Sequence, residues 1–116
     1  MKWERLCALG LELPGVEEGI WYRTPALNVR GKSFVRLKED GASVVFLTDG
    51  VDEQEFLVES QPALYFITPH YAGWPAVLAR LSKLRVAEAR RRLEVAWRRK
   101  APKKLVAELD AERARR

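Results

Sequence analysis

The segment 68–75 constrains the fold more than any other part of this chain. Its sequence, Thr-Pro-His-Tyr-Ala-Gly-Trp-Pro, holds two prolines, one glycine, two aromatic residues and the only histidine. Prolines and glycine at this density exclude a regular helix or strand. We therefore predict an ordered loop here, since the two prolines restrict its backbone. Structured loops of this kind often carry functional residues. His70, Tyr71 and Trp74 are its candidate contact residues.

Length and composition predict one domain, residues 1–116. A chain of 116 residues, 47% hydrophobic and 32% charged, suits a single globular domain with its own core. No apolar run approaches the roughly 20 residues that cross a bilayer. The N-terminal residues lack the apolar core of a signal peptide. We expect a cytoplasmic protein without a membrane partner.

Hydrophobic periodicity predicts a single α+β domain, with an antiparallel sheet packed against N- and C-terminal helices. The predicted helices cover residues 3–12, 52–60 and 86–100, with Asp52 as an N-cap. The predicted strands cover 16–22, a hairpin at 26–39, 43–48 and 63–68. Thr24-Pro25 predicts a turn or an edge position. A further helix is expected from Pro75, and a short last one from about Leu105, with residues 110–116 frayed.

The hairpin at 26–39 has two possible registers. A two-residue loop at Gly31-Lys32 would place Arg36 on the core face. A three-residue loop, Arg30 to Lys32, instead pairs Val29 with Ser33 and Leu27 with Val35, and we prefer it because one face stays apolar. Phe34, Arg36 and Lys38 then lie on the exposed face. In the helix 86–100 a stripe predicts burial of Val86, Leu93 and Trp97.

The basic charge is confined to the C-terminal third. Residues 80–116 hold 14 Lys or Arg and 5 Asp or Glu, a net of +9, whereas residues 1–79 hold 7 and 11, a net of −4. Such asymmetry suggests an anionic partner, although a solvated helix rich in ion pairs gives the same pattern. The candidate phosphate contacts are Arg36, Lys38, Arg91, Arg98, Arg99, Lys103 and Lys104.

The sequence contains no catalytic constellation. A single cysteine, Cys7, excludes an intramolecular disulfide and a thiolate metal cluster, and its apolar neighbours predict burial. A single histidine excludes a two-histidine zinc motif. No glycine-rich phosphate loop is present. We therefore expect no enzyme activity, no metal and no cofactor, and we name no catalytic residue.

Several short motifs, in their order and spacing, resemble the MmcQ/YjbR family of small bacterial proteins. The resemblance covers about residues 5–109 and is carried by Pro14-Gly15-Val16-Glu17, Val29-Arg30-Gly31-Lys32, the segment 68–75 and Ala101-Pro102-Lys103-Lys104-Leu105. It implies a two-layer α+β fold similar to the CyaY-like, double-wing arrangement. The family is labelled DNA-binding through that fold similarity, and it supplies no catalytic residues.

Three functions are compatible with these features. The first is weak, largely non-specific binding of DNA or other nucleic acid through the basic C-terminal region. The second is a protein-interaction or adaptor module with a protein partner. The third is an unrecognised enzyme or a small-molecule binder centred on His70, which predicts a deep pocket with convergent polar groups there. One contiguous basic patch with exposed aromatic residues beside the His70 loop would favour the first.

Overall fold

Six β-strands form one antiparallel sheet in the computed structural model, which describes all residues 1–116. The strands are β1 (Val16–Trp21), β2 (Thr24–Val29), β3 (Lys32–Leu37), β4 (Ser43–Leu47), β5 (Tyr65–Phe66) and β6 (Ala76–Arg80). The helices are α1 (Trp3–Gly10), α2 (Val51–Ser60), α3 (Val86–Lys100) and α4 (Lys103–Ala114). The strand order is β1-β2-β3-β4-β6-β5. The predicted α+β fold with terminal helices is confirmed.

The main core lies between one face of the sheet and the helices, chiefly α1 and α3. Trp97 of α3 is fully buried, and its indole Nε1 donates a hydrogen bond to the Pro14 carbonyl at 3.0 Å. Leu93 is also buried, which confirms the predicted phase of α3 at both positions. The prediction that Val86 is buried is wrong. Its side chain is 39% exposed, because Val86 is the first residue of α3 and lies at the end of the packed surface.

The turn between β2 and β3 is one residue shorter than predicted. Val29 pairs with Lys32, not with Ser33, so the loop consists of Arg30-Gly31 alone. Both residues have positive φ, 50° and 78°. This is the geometry of a type I′ turn, whose twist matches that of the flanking strands. Glycine is suited to the second position because it has no Cβ to oppose a positive φ.

A bulge then brings the rest of the hairpin into the predicted register. Leu27 pairs with Val35 as expected, and the register shifts between Leu27 and Asn28. Phe34 is the extra residue on β3, and it lies in the main core beside Val35. The prediction that Phe34 lies on the exposed face is therefore wrong. A bulge cannot be inferred from strict alternation of apolar and polar residues.

Residues 76–80 form strand β6, so the helix predicted from Pro75 is wrong. Val77 belongs to the main core and Leu78 to a second cluster on the opposite face. A short segment that is buried on both faces has no periodicity that separates strand from helix. Strand β5, predicted over 63–68, is limited to residues 65–66.

Two helix ends differ from the predicted ones. Helix α2 starts at Val51 with Gly50 as its N-cap, so Asp52 lies in the first turn and is not the cap. There its carboxylate still interacts favourably with the helix dipole. Helix α4 continues to Ala114, so the tail that we expected to fray from residue 110 is helical over most of its length. None of the helices combines the length and apolar character that a membrane crossing requires.

Candidate functional site

The face of the sheet that points away from α1 and α3, here called the open face, carries a row of directly paired residues. The row consists of Ala26, Arg36, Val45, Leu78 and Phe66. Val45 and Leu78 form a second buried cluster with Ala76 and with Tyr71 of the 68–75 loop. This loop therefore covers part of the open face, and β4 is buried on both sides as its continuous apolar run predicts.

A groove of about 530 Å³ opens beside this cluster. It lies between the 68–75 loop, the β1–β2 turn and the C-terminal end of α3. We call it the aromatic groove. Its lining includes the aromatic residues Trp21, Tyr22, His70, Tyr71 and Trp74, the cations Arg36, Lys38, Arg99 and Lys100, and a single carboxylate, Glu39. Aromatic and cationic side chains thus converge on one site.

Gln54 of α2 fixes the loop that forms one wall of the groove. Its side-chain Nε2 donates to the carbonyl oxygens of Tyr71 at 2.9 Å, Trp74 at 2.8 Å and Ala76 at 2.7 Å. Gln54 is only 1% exposed, so these bonds are shielded from water. Bonds of this kind leave the backbone of an irregular segment satisfied within the protein. Nothing in the sequence singles out Gln54, because its partners lie in a distant loop.

Arg36 was predicted to be an exposed phosphate contact, but it is buried in the wall of the groove. Its residue exposure is 6% because the sheet and the 68–75 loop enclose it. The guanidinium donates to the Tyr71 hydroxyl at 2.8 Å, to the Glu39 carboxylate at 3.1 Å and to the Thr24 hydroxyl at 3.3 Å. These bonds engage both terminal nitrogens, Nη1 and Nη2, with partners inside the protein. Arg36 therefore positions Tyr71, whereas its neighbour Lys38 is partly exposed.

The turn between β1 and β2 holds an aromatic pair against Arg36. Tyr22 and Arg23 form this turn with φ of 51° and 67°, values that non-glycine residues rarely adopt. The ring of Tyr22 stacks on Trp21 at a centroid distance of 5.2 Å, and the Arg36 guanidinium lies 5.3 Å from the Tyr22 centroid. The turn thus precedes Thr24-Pro25, which begins β2. Of the two alternatives predicted there, the turn is wrong, whereas Pro25 does occupy an edge-like position, because it pairs with β1 but lies beyond the pairing with β3.

The C-terminal end of α3 supplies the freest cations of the groove. Arg99 donates to the Thr48 carbonyl at 2.8 Å, but neither Arg99 nor Lys100 has a carboxylate within 4.0 Å. Both residues are exposed. Arg99, one of the predicted contacts, therefore lines the groove with its charge available. Lys100 was not among the named candidate contacts, although its position beside Arg99 in a basic run of the sequence indicated such a role.

The other predicted cations of α3 and α4 lie outside the groove lining. Arg98 pairs with Glu94 at 2.9 Å and with Asp110 of α4 at 2.7 Å. Arg91 lies 3.5 Å from Glu88. Lys103 and Lys104 are exposed in the first turn of α4. Arg91 and Arg98 are therefore in ion pairs, whereas Lys103 and Lys104 have no carboxylate within 4.0 Å.

The three loop residues named from the sequence all line the groove, but they differ in exposure. Tyr71 is buried and anchored by Arg36, whereas Trp74 is 59% exposed. His70 is exposed in a short 3-10 turn, and its ring meets that of Tyr71 edge to face at 5.1 Å. Trp74 and His70 are thus accessible to a ligand, whereas Tyr71 is buried and packs against the His70 ring.

The groove holds one carboxylate and the single histidine of the chain. Its one carboxylate, Glu39, has a lowered pKa because its own backbone amide and Arg36 donate to it, so it stays ionised. No serine, threonine or cysteine lines the groove. Cys7 lies in the main core, where burial and nearby Glu18 raise its thiol pKa to about 12. No group of three or more His, Cys, Asp or Glu side chains is placed to hold a metal ion.

Comparison with known proteins places the chain in a family without assigning it an activity. It is 44% identical over 50 residues to the uncharacterized proteins Rv2570 of Mycobacterium tuberculosis and Mb2600 of Mycobacterium bovis. The match covers 43% of this chain and 39% of each relative, so the aligned part spans about two fifths of those proteins. Residues 11–99, which include most of the groove, match the sequence model of YjbR. The chain therefore belongs to the YjbR family.

Proposed function

We propose that this protein binds nucleic acid, weakly and with little sequence specificity, in the aromatic groove. The observation that carries the proposal is the convergence of exposed aromatic rings and carboxylate-free cations on one site. Nucleic acids offer what both groups bind, since phosphates attract the cations and bases stack on the rings. Contacts to phosphates and stacking on bases carry little sequence information, so we expect little specificity.

The proposed contact surface differs from the one inferred from charge alone. On α3 most arginines are already paired: Arg90 with Glu12, which follows α1, Arg92 with Glu53 of α2, and Arg98 with Asp110 of α4. A phosphate would have to compete with these carboxylates. Arg99 and Lys100 face no such competition. The Lys38 ammonium lies 3.6 Å from the Glu39 carboxylate, but this carboxylate also pairs with Arg36 and is divided between two cations. We therefore place the phosphate contacts at Arg99, Lys100 and Lys38.

Salt dependence gives the sharpest test. Binding of labelled oligonucleotides, single-stranded and duplex, is measured by fluorescence anisotropy over a series of salt concentrations. The series begins at about 50 mM, because electrostatic binding is strongest at low salt. The double variant Arg99→Gln/Lys100→Gln should reduce the magnitude of the log–log salt slope by about 1.4 on a single strand and about 1.8 on a duplex. The matched control is Arg91→Gln/Arg98→Gln, which removes the same charge from the same helix and should change the slope little.

Two results would overturn the proposal. One is the absence of binding to any oligonucleotide at about 50 mM salt. The other is an equal loss of slope in both double variants, because binding would then follow net charge and not the groove. Absence of binding would favour the protein-interaction alternative.

A small anionic ligand with a planar ring is a second candidate, favoured by the size of the groove. Its volume of about 530 Å³ falls within the range of ligand pockets. The two candidates differ in how affinity depends on ligand length. A nucleic-acid site gains affinity as the oligonucleotide lengthens, whereas a pocket for one small molecule binds a mononucleotide as tightly as an oligomer.

A further inference from the structure

We infer that the aromatic groove takes an unpaired base, so that the protein binds single-stranded in preference to duplex nucleic acid. This inference rests on the proposed function and narrows its ligand. The relevant residues come from separate elements. Trp21 and Tyr22 lie at the β1–β2 turn, Trp74 lies in the 68–75 loop, and Arg99 and Lys100 end α3.

The aromatic rings of the groove offer faces that only an unstacked base can use. Trp74 is 59% exposed, whereas the ring of the exposed Tyr22 already stacks on Trp21 and lies 5.3 Å from the Arg36 guanidinium, so Trp74 is the main stacking surface. In a duplex the faces of the bases are covered by their neighbours, and its outer surface consists of phosphates and groove edges. A base that is free of such stacking can pack on these rings regardless of its identity. The exposed aromatic area would therefore add affinity for a single strand and little for a duplex.

The cations lie where the backbone of the same nucleotide could reach them. Arg99 and Lys100 line the groove together with Trp74 and Tyr22. Every nucleotide joins a flat apolar base to a charged phosphate, and a site with rings and unpaired cations in one groove matches both parts. A volume of about 530 Å³ leaves room for a base with its sugar, since pockets of about 300–1,000 Å³ hold small organic ligands.

The groove is also held in shape before any ligand arrives. Gln54 secures the loop, Arg36 secures Tyr71, and Tyr22 is kept in a backbone conformation that costs free energy. Backbone strain of this kind is found most often at functional sites. A preformed wall loses less entropy on binding than a mobile one, which favours stacking at this site.

The test compares one strand with its duplex on two single variants. A labelled oligothymidylate of about 12 nucleotides, a length that a single-strand site can span, and its duplex with oligoadenylate are titrated at equal salt. Trp74→Ala should weaken binding of the single strand by about tenfold or more and leave duplex binding within about twofold, given the usual contribution of one stacked base. Trp74→Phe should restore most of the single-strand affinity.

Phe56→Ala is the matched control, because Phe56 is an exposed aromatic residue on α2 outside the groove lining. It should leave both affinities unchanged. If the duplex binds as tightly as the single strand and Trp74→Ala alters neither, the base-pocket inference is overturned while the proposed function stands. If neither oligonucleotide binds, both are overturned. Far-UV circular dichroism and an unchanged unfolding midpoint establish that each variant is folded.

Discussion

Gln54 offers the most direct test of how the fold builds the aromatic groove. Its amide nitrogen contacts the carbonyl oxygens of Tyr71, Trp74 and Ala76, at 2.9, 2.8 and 2.7 Å. Gln54→Leu keeps a side chain of similar size and removes both amide protons. The loop then loses its only side-chain hydrogen bonds to α2, and Trp74 loses its fixed position.

The expected destabilisation follows from the burial of these bonds. The amide carries two protons and serves three carbonyls, so the substitution removes about two hydrogen bonds. The carbonyls of Tyr71 and Trp74 still accept from the backbone amides of Trp74 and Ala76, so neither is left without a partner. Since each hydrogen bond contributes about 0.5–1.5 kcal/mol, we expect the free energy of unfolding to fall by about 1–3 kcal/mol.

Urea denaturation followed by circular dichroism measures this loss, and tryptophan fluorescence reports on the loop. Gln61→Leu is the matched control, since Gln61 is exposed and its one weak bond, to Glu88, is 3.4 Å long. It should stay within about 0.5 kcal/mol of the parent protein. If Gln54→Leu proves equally mild, Gln54 does not hold the loop, and the preformed groove loses its main support.

Three further predictions concern other parts of the molecule. Arg23→Gly should raise the free energy of unfolding by about 0.5–1 kcal/mol, because glycine tolerates the positive φ at this exposed turn, and a lower urea midpoint would contradict it. Hydrogen bonds from Arg113 and Arg98 lower the pKa of Glu94 below its ordinary value of 4.5. The ionised carboxylate therefore stabilises the folded state above pH 4.5, and this contribution is lost as the pH falls through the lowered pKa. Melting temperatures between neutral and acid pH should therefore fall less steeply in Arg113→Gln, and parallel profiles would refute this. Cys7 should resist iodoacetamide in the folded protein at neutral pH, where its thiol stays protonated and buried, and rapid labelling seen by mass spectrometry would contradict its placement.

The long periodic segment of the chain was predictable, and the reason is physical. Helix α3 has the predicted bounds, Val86–Lys100, because its stripe repeats over four turns and Pro102 prevents its continuation. Strand β4 was recognisable from its continuous apolar run, which two buried faces require. In both cases the determining information lies within the segment itself.

Segments that depend on a distant partner were not predictable. Residues 76–80 form a strand because β4 and β5 pair with them on either side, and the same short apolar run suits a helix equally well. Phe34 enters the core through a bulge defined by its register against Leu27 and Asn28. Long-range pairing overrides local preference at such places.

The candidate site divides in the same way. The sequence pointed to the 68–75 loop and to Arg99 because their composition is locally unusual. It did not point to Gln54, nor to the burial of Arg36, since each is explained only by contacts across the fold. The turn at Tyr22-Arg23 was missed because neither residue favours positive φ.

The basic C-terminal third illustrates why net charge is a poor measure of a binding surface. Its +9 includes arginines that join α3 to the segment after α1, to α2 and to α4 through carboxylates, and these charges already have a structural role. What a phosphate would meet in the groove is a smaller set, Arg99, Lys100 and Lys38. Three such contacts correspond to a salt slope of about −2 on a single strand. A slope of that size, with stacking on Trp74 supplying salt-independent affinity, is what separates a groove that holds a nucleotide from a surface that only attracts a polyanion.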